Sequence, residues 1–155
     1  MSKRFTFPLQ KALDWYRQRL AAEQAALQNI VNEIDVLHNL EQALERRQRG
    51  EHQLLQGANQ IFGKDLRGLA NYSAVIRADL NRVKAEKKRK ESALAEQRRS
   101  VTMHHRRVRL LEELEERRKT QWSQQASAEQ DALASELFLA SIARKTARQG
   151  QEQET

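Results

Sequence analysis

The chain has almost nothing in it to stop a helix. Its single Pro is Pro8, and four of its five Gly, at 50, 57, 63 and 68, crowd into one short stretch, with the fifth at Gly150. Strong helix breakers are therefore absent from about residue 9 to 49 and from about 69 to 149. Two long helices joined by one bend is the simplest fold for such a chain. The reading is all-α: two long helices in an antiparallel coiled-coil hairpin, with the second helix longer and overhanging. One domain is expected over 1–148, with helices at about 8–49 and 69–148, a bend at about 50–68, and a disordered tail at 149–155. Such a hairpin buries a seam rather than a globular core, and a seam leaves no room for an enclosed active site. The search for function turns to surfaces.

Composition agrees. Charged residues make up 32% of the 155 and aromatics only 5%, with Ala, Glu, Gln, Leu and Arg dominant, as in long helices. Without Cys there is no disulfide, thiol nucleophile or Cys-ligated metal. No apolar run approaches the ~20 residues of a membrane span. The start has basic residues but no apolar stretch of the secretory kind. A cytoplasmic protein is expected.

The first helix should start near Pro8, since proline is tolerated in a first turn. Apolar residues then recur at alternating steps of four and three. One row is Leu9, Tyr16, Glu23, Ile30, Leu37, Leu44; the other is Leu13, Leu20, Leu27, Ile34, Glu41. Each steps by seven, the signature of a coiled-coil seam, and the two Glu should weaken it locally. The second helix carries a thinner stripe: Ile76 with Val83, then Leu80, Lys87, Leu94, Val101, Val108, Glu115, Trp122, with Leu111 and Leu114 beside it. Residues 84–92 are nearly all polar, so this part should be the softest, with Lys and Arg stems covering apolar surface.

At ~1.5 Å per residue the helices would be roughly 70 Å and ~120 Å long. A bend centred near Phe62 sets Leu44 opposite Leu80 and Leu9 opposite Glu115. Residues after about 117 then project beyond the first helix, carrying Leu133, Leu137, Phe138, Leu139 and Ile142. A lone helix with exposed Leu and Phe is seldom stable in water, so this part should dock, self-associate or fray. Leu54, Leu55, Ile61, Phe62 and Leu66 in the bend make it too apolar for a simple turn. A small apolar cap is expected there, with Ile61 and Phe62 in it.

The net charge is +7, and residues 82–109 hold eleven Lys/Arg against three Glu. This basic girdle includes Arg82, Lys84, Lys87, Lys88, Arg89, Lys90, Arg106, Arg107 and Arg109. It suits an acidic protein groove, a nucleic acid or an anionic membrane surface, or it is merely a solvated helix face. Nucleic acid is disfavoured: the stretch has no aromatic for base stacking and does not run into a parallel zipper. It also lacks the continuous apolar face of a membrane-surface helix.

Catalysis and cofactors are not expected. His104 and His105 are adjacent, point different ways and sit beside Arg106 and Arg107, while His38 and His52 lie elsewhere; metal-ligand spacing is missing. Glu112, Glu113, Glu115 and Glu116 should pair with Arg117, Arg118 and Lys119 at helical spacings. The run from Gly57 to Asp65 departs from the P-loop pattern, and no nucleophile has a recognisable base.

The opening Arg4-Phe5-Thr6-Phe7-Pro8-Leu9-Gln10-Lys11-Ala12-Leu13-Asp14 resembles the F-x-F-x-L-x-x-x-L start of the FliJ family, coiled-coil proteins of the bacterial flagellar type III export apparatus. The likeness runs on through Arg17-Gln18-Arg19-Leu20-Ala21-Ala22-Glu23-Gln24. Later, Leu110-Leu111-Glu112-Glu113-Leu114-Glu115-Glu116-Arg117-Arg118 is similar to the family's L-x-x-L-x-E-R segment. Residues 128–136 are similar to its ending, with small and acidic residues in a different order. The F-x-F-x-L start is the distinctive part. The resemblance implies an antiparallel coil seated in the pore of the hexameric export ATPase, engaging the cytoplasmic part of the membrane export gate protein FlhA and handling export chaperones. It implies a location at the cytoplasmic face of the inner membrane, without a span. It also implies a gate-binding surface near the bend. Leu37, Leu40 and Leu44 match the family's positions before the bend; Asn71, Tyr72, Val75 and Ile76 match those after it, with Val75 replacing Phe. Leu37, Leu44 and Ile76 also fit the seam, so Tyr72 first, then Leu40, are the candidates for exposed contacts. Leu137 and Phe138 are further candidates on the overhang. The alternatives are the equivalent stalk of a virulence secretion system, a basic nucleic-acid-binding coil, or a homodimeric scaffold pairing after Arg117.

Overall fold

The computed structural model describes residues 3–57 and 63–154. Among these the chain is all-helical: α1 spans Gln10–Gly57 and α2 spans Gly63–Gln153. The two pack antiparallel as a helical hairpin, the second helix longer than the first. No described residue has a positive φ.

The elements extend further than composition suggested. Helix α1 begins two residues after Pro8, with Gln10 N–H donating to the Phe7 carbonyl and Leu13 N–H to that of Leu9. It runs past Gly50 to Gly57, not to about 49, and α2 begins at Gly63, not about 69. The expected bend at 50–68 is thus helical on both flanks. The physical reason is that glycine lowers helix stability by only about 1 kcal/mol, too little to stop a helix whose flanking residues are good helix formers. These glycines serve no close approach, since a Cβ at 50, 57, 63 or 68 would meet no atom within 4 Å. The cap expected from Ile61 and Phe62 lies outside the described residues. Helix α2 likewise continues to Gln153 through the stretch expected to be a disordered tail.

The contacts divide the chain into two units, Trp15–Arg107 and Met1–Asp14 with Val108–Thr155. In the first, the α1 rows face α2. Leu44 is buried with Ile76, Leu80 and Val83, and Leu37 packs against this cluster. Leu44 beside Leu80 is the pairing expected from a bend near residue 62. Tyr16, Leu20, Leu27, Ile30 and Ile34 are half-buried, as a two-helix seam allows: each side chain has one neighbouring helix, not several. Each buried large aliphatic contributes roughly 1.5–3 kcal/mol.

In the second unit the opening aromatics are used for packing. Phe7 is buried and Leu13 wholly so. The Phe5 ring lies 6.0 Å from that of Trp122 at 56°, a tilted pairing that aromatic quadrupoles favour. The F-x-F start thus ties the entering chain to α2. Beyond Ala126, every described residue from 127 to 154 is exposed.

Candidate interaction surfaces

The α2 side of the seam is completed by a second row stepping by seven, partly polar: Ile76, Val83, Lys90, Gln97, His104, Leu111. Its polar members are turned inward, half-buried or, for His104, buried. With Ser100 and Lys87 beside this row, they meet carboxylates of α1. Glu23 accepts a hydrogen bond from Ser100 Oγ at 3.2 Å and one from the Gln97 amide, which also donates to the Glu23 main-chain carbonyl at 2.9 Å. The His104 Nδ1 donates to the Ser100 carbonyl at 2.9 Å. Glu41 accepts from Lys87 at 3.1 Å, and Lys87 also donates to His38 Nδ1 at 3.2 Å. Seam polarity that looked like weakness is a set of specific cross-helix bonds, which fix register better than apolar contacts do.

Part of the basic girdle is drawn into the seam by these bonds. Lys87 and Lys90 are seam residues, paired with Glu41 at 3.1 Å and Glu33 at 2.6 Å across the hairpin. Arg82 pairs with Asp79 and Arg89 with Glu86 along their own helix. The Arg107 guanidinium lies 5.9 Å over the Tyr16 ring, a cation–π contact. Arg109 pairs with Glu113 at 3.4 Å, so Glu113 reaches back rather than forward to Arg117. Lys84, Lys88, Arg98, Arg99 and Arg106 remain exposed, with no ion pair seen among the described residues. The outward charge is smaller than the sequence count implies because neighbouring carboxylates take up part of it.

The candidate contacts near the bend separate as expected. Leu44 and Ile76 are buried, and Leu37 half-buried against their cluster. Leu40, Tyr72 and Val75 are 47%, 50% and 57% exposed, and Asn71 is exposed. Val75 lies three residues from Tyr72 and four from Asn71, so the three share a face. Sequence reading missed Val36, exposed and four residues before Leu40, and Trp15, exposed with its ring edge-on to Tyr16. Both fall off the heptad rows, and that was the available signal. Leu137 and Phe138 are exposed.

Among the described residues, two groups titrate away from their ordinary values. The Gln97 amide, opposed by partial burial and aided by Ser100, Arg19 and His104, holds the Glu23 carboxyl low. The Glu33 carboxylate, by accepting from its ammonium, holds Lys90 high. A depressed carboxyl contributes stability that is complete above its ordinary value of 4.5 and is lost as pH falls through the lowered one. A raised ammonium contributes stability complete below 10.5 and lost as pH rises through the raised value. Denaturant midpoints measured against pH should therefore be level near neutrality and fall in acid and strong alkali. The acid limb should be shallower in Glu23→Gln.

Among the described residues, no group of three His, Cys, Asp or Glu is placed to hold a metal, and no helix is long and apolar enough to cross a membrane. One open cleft lies between Arg4, Phe5 and Pro8 on one side and Leu114, Arg118 and Trp122 on the other. Comparison with protein-family models, with characterised proteins and with solved structures finds no match.

Proposed function

We propose that this chain is a non-enzymatic component of the flagellar type III export apparatus, a stalk that works with the export ATPase ring and links it to the cytoplasmic part of the export gate. It acts in the cytoplasm at the inner face of the membrane and handles export chaperones. The observation that carries this reading is the F-x-F-x-L start, Phe5, Phe7 and Leu9, on a hairpin that keeps apolar residues outside its seam. Tyr72, Val75 and Leu40 support a gate contact, and Leu137 and Phe138 a contact further along α2. The exposed Lys84, Lys88, Arg98, Arg99 and Arg106 speed encounter with acidic surfaces. A nucleic-acid role loses support, because Lys87 and Lys90 are spent on Glu41 and Glu33. The equivalent stalk of a virulence secretion system is the alternative reading.

The test is affinity capture of the purified ATPase and of the purified gate domain by the full chain, with its helicity checked by circular dichroism. Capture of both is expected, with Tyr72→Ala losing the gate and keeping the ATPase. A folded chain that captures neither removes the proposal.

A further inference from the structure

Residues 127–154 of α2 are exposed throughout, yet they carry Leu133, Leu137, Phe138, Leu139 and Ile142 at 60%, 72%, 65%, 64% and 44% exposure. Five large apolar side chains within ten residues make a patch that water does not tolerate cheaply. The charges around it indicate what covers it. Glu129, Asp131 and Glu136 precede Phe138; Arg144, Lys145 and Arg148 follow it. None of the three acids has an opposite charge three or four residues away, so the helix does not neutralise them itself. Asp131 and Lys145 each stand seven residues from Phe138, one on either side, so all three share a face. Ala134 and Ile142 stand four residues from it on that same face.

A segment with acid on one side of an apolar centre and base at equal distance on the other is complementary to itself run backwards. We propose that residues 127–149 pair antiparallel with the same segment of a second copy of this chain, about a two-fold axis at Phe138. Phe138 then meets Phe138 of the second copy. Asp131 meets Lys145 of the second copy, and the symmetry makes that pair twice. Ala134 faces Ile142, small against large. A parallel pairing sets like charge on like, and a partner of one sign matches only half of the segment. The pairing is independent of the export reading.

The experiment is sedimentation equilibrium of the full chain at low ionic strength. A species of twice the 18.1 kDa chain mass is expected. Phe138→Glu should raise the dissociation constant about thirtyfold or more, as loss of a central aromatic anchor does. Asp131→Lys and Lys145→Asp should each weaken association several-fold, while the two together restore it, since every cross-pair is again opposite in sign. Val36→Glu, on the other unit, should leave it unchanged, and circular dichroism should show equal helicity throughout. A chain that stays monomeric at every concentration, whether or not another protein covers the patch, overturns the proposal. So does a dimer indifferent to Phe138→Glu, or a double charge exchange that fails to recover association.

Discussion

Leu80→Ala should destabilise the hairpin by about 3 kcal/mol, within the range for truncating a buried leucine. Leu80 is 4% exposed and clusters with Leu44, Ile76 and Val83. Truncation removes apolar contact and leaves a void that two helices held by other contacts cannot fully close. A seam has few such residues, so one loss is a large share of the whole. Urea unfolding followed by circular dichroism measures it. Leu110→Ala, at a site 65% exposed, should change stability by less than about 0.5 kcal/mol. Equal costs at the two positions would mean that the α2 seam is not where these contacts put it.

Glu51→Leu should act in the opposite direction and stabilise the hairpin by about 2 kcal/mol. Glu51 is 4% exposed, and neither carboxylate oxygen has a hydrogen-bond partner. It stands seven residues after Leu44, so it continues the row through Leu37 and Leu44. Desolvating a carboxyl without a partner costs about 1–3 kcal/mol or more, and Leu at a seam position adds apolar burial instead. Glu51→Gln keeps a polar group in the same place and should gain much less. The same unfolding experiment reads both, and a destabilised Glu51→Leu variant would contradict this account of the residue.

The heptad rows of α1 were legible because nine of their eleven members are apolar, and repetition at seven has one structural meaning in a long helix. Register was legible for a related reason: a hairpin with its bend near residue 62 has one pairing, and Leu44 beside Leu80 is that pairing. The polar row of α2 was not legible. Lys90, Gln97 and His104 look like solvated residues until their partners across the hairpin, Glu33 and Glu23 among them, are placed. The flanks of the bend were misread because glycine was weighed as a stop, when at 50 and 68 it is a modest loss absorbed by neighbours. Glu51 went unnoticed for the same reason, since the seam was taken to end with the helix at about 49. Of the candidate contacts, Leu40 and Tyr72 could be placed outside the seam by phase alone. Val36 and Trp15 were as far out of phase but belonged to no motif.

The claim that this hairpin works as a protein-contacting part of flagellar export is tested most directly in the cell that makes it. The measurement is the amount of hook and filament protein secreted after the gene is deleted and then restored. The account expects secretion to collapse on deletion, to return with the unaltered chain, and to return poorly with Tyr72→Ala although that variant is folded and present. Normal secretion in the deleted strain would contradict it.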